Sequence, residues 1–378
     1  TGDHRAIAVE TCRTLGMGTN VLGAEKLPLL TAQDLEASTT LGRDYGEMCR
    51  QADGFAQVFP EHKYLIVEAL RQQGYLVGMT GDGVNDAPAL KRSDVGIAVQ
   101  GATSAAQAAA DIVLTQPGLS TIVTAIVTSR KIFQRMKNFV IYRVACTEQL
   151  LFFFFISCIF YHPNEYNADW PSYFAIPVIA LVTITILNDG TIISVAYDHV
   201  DASIKPEKWD LNILYIVSSA IGMVALIGSI VLLELSLDSQ SPDGLWRSMG
   251  LPVMTYGEIQ TLMYLKISLS DYFSVFNSRT KGWMWSRMPS IVLVGAFILA
   301  TTCSTFLAVY WPFGNGMQGI EWDLAVYCWL YVIMWAFIQD AAKVVTYKVL
   351  QSIGWVESVK VIDEKALKRG RDAVLGAL

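Results

Sequence analysis

Two carboxylates stand four residues apart in the run Met79 to Leu90, where Asp82 and Asp86 accompany Gly81 and Gly83. Mg²⁺ prefers hard oxygen ligands of this kind, and glycines allow a sharp turn that brings backbone N–H groups close to an anion. Two aspartates without a metal would repel a phosphate. The set therefore predicts a site for Mg²⁺ together with a phosphoryl group.

The apolar run before this site predicts the strand that positions it. Tyr75–Thr80 is typical of a buried parallel strand, and ligands of open α/β sheets collect beyond the carboxyl ends of such strands. As a dinucleotide fingerprint the run fails, because Asp86 takes the place of the third glycine. As a calcium loop it also fails, because Val84 and Ala87 stand where an oxygen ligand and a glycine are needed. A solvated Gly-Asp turn without a ligand is the remaining alternative.

Three segments resemble, in order and spacing, the second half of the phosphorylation domain of P-type ATPases. They are Thr1-Gly2-Asp3, Pro60-Glu61-His62-Lys63 and Met79 to Leu90. The resemblance implies that Asp82 and Asp86 hold Mg²⁺ at the phosphoryl site and that Lys63 contacts the phosphoryl group. It implies further that Asn85 is a catalytic residue and that Thr1, Gly2, Asp3 and Gly83 line the phosphate pocket.

Two of these residues have competing interpretations. Lys63 is a flexible point cation, which is a common phosphate partner, but it also suits the first turn of the predicted helix His62–Gln73. Asp3 also suits the N-cap of the predicted helix His4–Leu15.

Residues 1–128 are expected to form a soluble α/β domain, the C-terminal part of a Rossmann-like phosphorylation domain of the HAD-like class. The predicted elements are the two helices above, the strands Tyr75–Thr80, Val95–Val99 and Ile112–Leu114, and a closely packed helix within residues 101–111. The family's aspartyl nucleophile run, Asp-Lys-Thr-Gly-Thr, does not occur in the sequence. The chain also has no initiator Met or signal peptide. We therefore expect a fragment whose partner is the missing N-terminal half of the pump.

Composition places the remainder of the chain in a membrane. Of 378 residues, 53% are hydrophobic and only 16% are charged, and the net charge of −6 argues against nucleic acid as a partner. Six cysteines are scattered without the spacing of a zinc site or a disulfide framework.

Six apolar stretches are each close to the length of a membrane-spanning helix, which predicts an all-α transmembrane bundle in residues 129–348, in contact with lipid. The stretches are Phe139–Tyr161, Tyr173–Ala196, Leu211–Leu235, Ile259–Phe276, Ile291–Tyr310 and Leu324–Val345. Basic residues concentrate in alternate loops, which predicts that both ends face the cytoplasm. Residues 349–378 are expected to be a cytoplasmic tail, with a short amphipathic helix and a regulatory role as the hypothesis for residues 360–378.

Ser120 to Tyr161 contain no Gly or Pro, so they predict one helix of roughly 60 Å, at about 1.5 Å per residue. The alternative is two helices with a hinge near Lys137-Asn138.

Polar groups within the spans are the candidates for transport, because charge in hydrocarbon is costly. Asn188-Asp189-Gly190 are poor helix formers, so we expect the second span to loosen there, with Asp189 as a proton-binding carboxylate or a structural one. Arg143 is either its counter-ion or a side chain that extends to the cytoplasmic face. Glu148 and Asp271, the latter near Lys266, suit transport or pairing within the bundle.

The stretch Ile186 to Ile192 resembles the plasma-membrane proton-pumping ATPases, particularly the plant-like ones. The resemblance implies that Asp189 is the proton acceptor, that ATP is the substrate and that the protein is a multi-pass protein of the plasma membrane. Gln149 stands where plant members carry an arginine that pairs with this aspartate, and Arg143 is the expected substitute. The alternatives are a pump for calcium or another cation, and a non-catalytic membrane partner that retains the fold.

Overall fold

The computed structural model describes residues 1–29, 39–204, 206, 209–314 and 316–356. The hypothesis of an amphipathic helix in residues 360–378 lies outside them. The chain divides into two compact units, Thr1–Ala125 and Ile126–Leu378. Each unit is described by itself.

A parallel sheet of three strands forms the part of the first unit that carries the predicted site. Strands β3 (Gly78–Gly81), β4 (Val95–Ala98) and β5 (Ile112–Val113) lie side by side in that order. Two short helices, Ala87–Arg92 and Ser104–Ala109, connect them in a βαβαβ arrangement. Parallel strands align their carboxyl ends, so the residues after β3 and β4 meet at one edge of this sheet.

A separate two-stranded parallel sheet, which the sequence did not predict, joins β1 (Val21–Gly23) to β2 (Gly54–Ala56). The helices among the described residues of the unit are α1 (Arg5–Thr14), α2 (Leu41–Gln51) and α3 (Pro60–Gln72), followed by α4 and α5, which are the two connecting helices of the larger sheet. Helices α2 and α3 pack through buried apolar side chains. The helix that carries Lys63 is thereby held in place along its length.

Strand β3 begins three residues later than predicted, and the expected burial of Tyr75 and Leu76 is wrong because they are 49% and 88% exposed. The end of α3 explains the difference. Gly74, at φ +87°, donates its N–H to Arg71, and Tyr75 donates its N–H to Leu70. The first residue of the apolar run, Tyr75, therefore belongs to the cap of α3, and the strand begins only after this cap.

The second unit is a bundle of long helices. The bundle helices are α6 (Ser120–Phe160), α7 (Val178–Ile193), α8 (Leu211–Leu237), a short α9 (Leu245–Ser248), α10 (Tyr256–Ser278), α11 (Ile291–Val309) and α12 (Trp322–Ser352). Helix α6 is continuous over 41 residues, so the single long helix is confirmed and the alternative hinge at Lys137-Asn138 is wrong. Asn138 is buried there and donates a hydrogen bond to the carbonyl of Arg279 at 3.2 Å.

Five helices among the described residues, rather than the six expected, are long and apolar enough to cross a membrane. They are α6, α8, α11, α12 and α7 together with the 3₁₀ turn that follows it. The remaining predicted span forms the 23-residue helix α10, but it carries Lys266, Asp271 and many hydroxyl groups. In α10, 19 of 23 residues are buried, because α8, α11, α12 and α7 surround it. A helix enclosed by other helices meets protein rather than lipid on most sides, so its composition is more polar than that of its neighbours.

Candidate functional site

The structure brings Lys63 and Asp86 into direct contact. Lys63 lies in the first turn of α3, where Pro60 begins the helix and His62 Nδ1 accepts a hydrogen bond from the Phe59 N–H at 3.2 Å. Its Nζ lies 2.6 Å from Asp86 Oδ1. The lysine side chain is 32% exposed and the aspartate side chain 7%. The ammonium group therefore reaches from the surface to a carboxylate at the carboxyl end of β3.

The backbone after β3 folds around the other oxygen of Asp86. The N–H groups of Asp82 and Gly83 point to Oδ2 at 3.3 and 3.4 Å. A Cβ atom on Gly81 would lie 2.6 Å from Asp86 Cβ, so this close approach requires glycine. Gly83 is different, because its φ of −100° suits any residue and a Cβ there would meet nothing closer than 3.8 Å. Only one of the two glycines is needed for the shape of the loop.

Asp82 and Asn85 occupy the exposed side of the same loop. The loop is fixed from behind, since the N–H of Thr103 donates to the Asp82 carbonyl at 2.8 Å and the N–H of Val99 donates to Gly81 at 3.2 Å. Asp82 therefore presents its carboxylate to solvent from an anchored backbone. Such a carboxylate is accessible to a metal ion.

The segment Thr1 to Asp3 runs beside the residues that follow β2. The N–H of Val58 donates to the Thr1 carbonyl, and that of Gln57 donates to the Asp3 carbonyl, both at 3.1 Å. Thr1 Oγ1 donates to Asp3 Oδ2 at 2.6 Å. All three residues of the segment are exposed, and Thr1 is close enough to Lys63 and Asp86 to interact with them electrostatically.

The alternative role of Asp3 as a helix cap is wrong. Helix α1 begins at Arg5, and its N-cap is His4, whose Nδ1 accepts a hydrogen bond from the Ala6 N–H at 3.4 Å. The Asp3 carboxylate is instead bonded to Thr1. It remains at the surface near the predicted pocket.

Electrostatics keep Asp86 ionised. Burial tends to raise the pKa of this carboxyl, but the hydrogen bond from Lys63, the N–H groups of Gly83 and Asp82, and the lysine charge outweigh it and hold the pKa below its ordinary value. Burial also lowers the pKa of His62, whose Nε2 has no hydrogen-bond partner. The first turn of α3 thus carries an imidazole that favours its neutral form and a lysine that pairs with the Asp86 carboxylate.

Whether this site suits Mg²⁺ depends on which oxygens of the two aspartates are free to coordinate the ion. Both oxygens of Asp86 accept hydrogen bonds, one from an ammonium group, whereas the Asp82 carboxylate faces solvent. Among the residues that the structure describes, no group of three or more His, Cys, Asp or Glu side chains is placed to hold a metal ion. Mg²⁺ is commonly held by only one or two carboxylates that act together with phosphate oxygens and water. The pair fits such a site, with Asp82 as the more accessible ligand.

In the second unit, Arg143 and Asp189 form an ion pair between α6 and α7. Arg143 Nη1 lies 2.9 Å from Asp189 Oδ1, and the two side chains are 44% and 56% exposed. The predicted counter-ion contact is therefore present. The pair lies on the outer side of these helices and not among their buried residues.

The neighbouring residue Asn188 points away from this ion pair and into the bundle. It is buried, and its Nδ2 donates to Asp271 Oδ2 of α10 at 2.6 Å. The expected loosening at Asn188-Asp189-Gly190 is wrong, because α7 continues to Ile193 and tightens into a 3₁₀ turn only from Ser194. Helical hydrogen bonding outweighs the poor helix propensity of three residues in a long apolar helix.

Glu148 and Lys266, the remaining charged candidates, bind hydroxyl and carbonyl groups. Glu148 Oε1 accepts from Ser219 Oγ at 2.8 Å, while its Oε2 is buried without a partner. Lys266 Nζ donates to the Ala225 carbonyl at 2.7 Å and to Ser229 Oγ at 2.5 Å, both on α8. Pairing between Lys266 and Asp271 at ion-pair distance is not found among the described residues.

Sequence reasoning missed the polar face of α6 that meets Asp271. Tyr142, Cys146 and Gln149 are buried on one side of that helix, at spacings of four and three residues. Asp271 interacts with the first two, and Gln149 Oε1 accepts from Ser270 Oγ at 3.3 Å. Such a spacing is the mark of one helix face and could have identified the group.

Several known proteins that are named ATPases are similar to this chain in sequence. The chain is 45% identical over 372 residues to a probable proton ATPase 1A of Leishmania donovani, an alignment that covers 93% of this chain and 38% of that protein. It is 39% identical over 366 residues to a probable plasma membrane ATPase of Dictyostelium discoideum, covering 92% and 32%. These similarities support a P-type ATPase C-terminal part. A putative cation-transporting ATPase of Methanocaldococcus jannaschii is 37% identical over 352 residues, covering 93% and 40%.

The chain spans about two fifths of the length of these relatives or less. A search with protein-family models gave no match. The five apolar helices agree with a multi-pass membrane protein.

Proposed function

We propose that this chain is the part of a proton-exporting P-type ATPase that holds the Mg²⁺ and phosphoryl-contacting residues and the proton pathway. The complete pump would hydrolyse ATP through an aspartyl-phosphate intermediate. The name of the relative from Dictyostelium and the apolar helices support the plasma membrane as its location. The first unit would be the C-terminal part of a HAD-like phosphorylation domain.

The Lys63–Asp86 contact supports the phosphoryl chemistry. The Asp86 carboxylate, 2.6 Å away, balances the positive charge of Lys63. A phosphoryl group bound beside this pair would compete with the carboxylate for the ammonium group. Lys63 would then stabilise the charge on the phosphoryl oxygens, which frees an oxygen of Asp86 for the metal. Mg²⁺ held by Asp82 and Asp86 would neutralise the charge that develops during transfer.

The observation that carries proton transport is the Arg143–Asp189 pair. A carboxylate within a membrane-spanning helix is costly unless it is paired or protonated, and here it is paired at 2.9 Å. Separation of the arginine favours a proton on Asp189, and return of the arginine favours its release. A cycle that moves α6 relative to α7 can therefore bind the proton on one side and release it on the other.

Two alternative functions make different predictions. A calcium pump needs about six to eight oxygen ligands around the ion. Among the described residues of the bundle, the polar groups near Asp189 and Asp271 are an arginine, a lysine, amides, a thiol and hydroxyls, which favours the proton. A non-catalytic partner would not need the pairing of Lys63 with Asp86 or the close approach at Gly81.

The test is Asp189→Asn in the complete pump, reconstituted in vesicles. We expect the variant to form phosphoenzyme from ATP and yet fail to acidify the vesicles, because the amide keeps the shape and cannot exchange a proton. Thr185→Ala, one turn earlier on an exposed position of the same helix, is the matched control and should pump normally. Normal acidification by Asp189→Asn would exclude Asp189 as the acceptor. ATP-driven calcium uptake at a constant internal pH would instead support the calcium pump.

A further inference from the structure

Three of the aspartates that the structure describes are buried in the bundle, and they differ in their partners. Asp198, Asp271 and Asp340 are each 2% exposed or less. Asp198 lies 2.8 Å from the Arg279 guanidinium, and Asp340 lies 2.6 Å from Lys343 Nζ. Asp271 has no cation at ion-pair distance among the described residues, and its hydrogen-bonding partners, the amide of Asn188 and the thiol of Cys146, are neutral groups.

The two cations nearest to Asp271 are occupied elsewhere. Lys266 donates to Ala225 and Ser229, and Arg143 pairs with Asp189 on the other side of α7. Neither forms a hydrogen bond with Asp271. An ionised carboxylate at this position would therefore be buried without direct compensation, which is unfavourable enough that such groups usually become neutral.

The oxygens of the Asn188–Asp271 pair show where a proton would lie. The amide Nδ2 donates to Asp271 Oδ2, but Asp271 Oδ1 and Asn188 Oδ1 are both buried and both lack a partner. One donor placed between these two acceptor oxygens would give both of them a hydrogen bond. A proton on Asp271 Oδ1 supplies it, because a carboxylic acid and a carboxamide can form two hydrogen bonds side by side.

We propose that Asp271 is a second proton-binding group of the bundle, protonated on Oδ1 in this conformation, held by Asn188, and exchanged during the transport cycle. Exchange is a simple acid–base step: the carboxylate takes one proton from water and returns one to water. The link to transport rests on the proposed function. The assignment of the proton itself does not.

The other groups that face Asp271 do not provide a competing proton site. On α6 they are Tyr142, Cys146 and Arg143, and on α10 itself they are Lys266 and Tyr272. Phenols and thiols are ordinarily neutral at pH 7, and arginine stays charged. From α12, Cys328 faces Lys266, and from α11, Ser304 bonds to Tyr272. The carboxyl of Asp271 is the group among these that ordinarily changes its protonation in the acidic range.

The experiment is infrared spectroscopy of the complete pump, reconstituted in vesicles, with isotope-labelled aspartate to identify the carboxyl bands. We expect a band of a neutral, hydrogen-bonded carboxylic acid at pH 7 that is lost in Asp271→Asn. The matched control is Asp340→Asn, because that carboxylate is ion-paired and should contribute no such band. If Asp271→Asn fails to fold, Asn188→Ala provides the second test, since it should shift the band by removing its hydrogen-bond partner.

A wild-type pump without this band, or a band that persists in Asp271→Asn, would overturn the proposal. Exchange is tested by locking the pump with vanadate, a phosphate analogue: loss or shift of the band supports exchange, and an unchanged band overturns it. These outcomes are distinguishable from failure of the proposed function. If Asp189→Asn still acidifies vesicles, the acceptor assignment fails while the infrared result on Asp271 remains valid.

Discussion

Removal of the Arg279 guanidinium should destabilise the bundle strongly. Arg279 donates two hydrogen bonds to Asp198, at 2.8 and 3.0 Å, and further ones to the carbonyls of Arg287 and Met288 at 2.6 and 3.0 Å. Both side chains of the pair are 1% exposed. Arg279→Met leaves a buried carboxylate without its cation and two carbonyls without a donor.

The expected cost follows from this burial. Breaking a buried ion pair by removing one partner typically costs about 3–5 kcal/mol, which corresponds to two to four decades in the folding equilibrium at about 1.4 kcal/mol per decade. Asp198→Asn should cost somewhat less, because the amide oxygen still accepts a hydrogen bond. The double variant should cost less than the sum of the two, since it leaves neither charge unpaired.

The assay is unfolding of the purified protein in mixed micelles by increasing dodecyl sulfate, followed by tryptophan fluorescence. Asp201→Asn is the matched control, because this aspartate lies three residues from Asp198, is 59% exposed and contacts Arg287 at only 3.5 Å. Its change should stay within about 1 kcal/mol. A similarly small effect of Arg279→Met, or strict additivity in the double variant, would refute the account of this pair.

Three further predictions concern the first unit. Gly81→Ala should abolish phosphoenzyme formation in the complete pump, because its Cβ would lie 2.6 Å from the Cβ of Asp86. Gly83→Ala should retain phosphoenzyme formation, and equal activities of the two variants would contradict this prediction. Hydrogen bonds from Arg92 and Gln72 overcome the burial that would raise the pKa of Glu68 and hold that pKa below the ordinary value of 4.5. The ionised Glu68 therefore stabilises the folded unit fully above about pH 4.5, and this stabilisation is lost as the pH falls through the lowered pKa. Arg92→Met removes part of it and should raise the acid midpoint of unfolding, measured by circular dichroism. Burial raises the pKa of Cys49 to about 11, so mass spectrometry should find this thiol unalkylated by iodoacetamide at pH 8, and rapid labelling there would contradict its burial.

Local patterns predicted the elements that depend on neighbouring residues. The unbroken run from Ser120 gives the continuous helix α6, and the apolar alternation near Val95 gives β4. Hydrogen bonds between neighbouring residues or strands determine these elements. The placement of Lys63 beside Asp86, 23 residues away, was not predicted by a local pattern, because only the resemblance to P-type ATPases implied that both residues lie at one phosphoryl site.

Features that depend on tertiary packing were not predictable in this way. Helix α10 carries a lysine and an aspartate, and the sequence does not indicate that other helices enclose it on most sides. The cap formed by Gly74 shortens the predicted strand because a helix end and a strand start compete for the same residues. The role of Asn188 depends on a residue 83 positions later, which no local pattern contains.

The direction in which Asp189 points illustrates the same limit. Apart from its threonines and Asn188-Asp189, helix α7 has apolar residues on all sides, so its sequence does not indicate which face is buried. Consecutive residues of a helix point about 100° apart, since one turn takes 3.6 residues. Asn188 therefore faces Asp271 while Asp189 faces Arg143. Because the two residues share one backbone, a rotation of α7 large enough to separate Asp189 from Arg143 must also change the contact between Asn188 and Asp271, so the two carboxyl groups respond to the same movement.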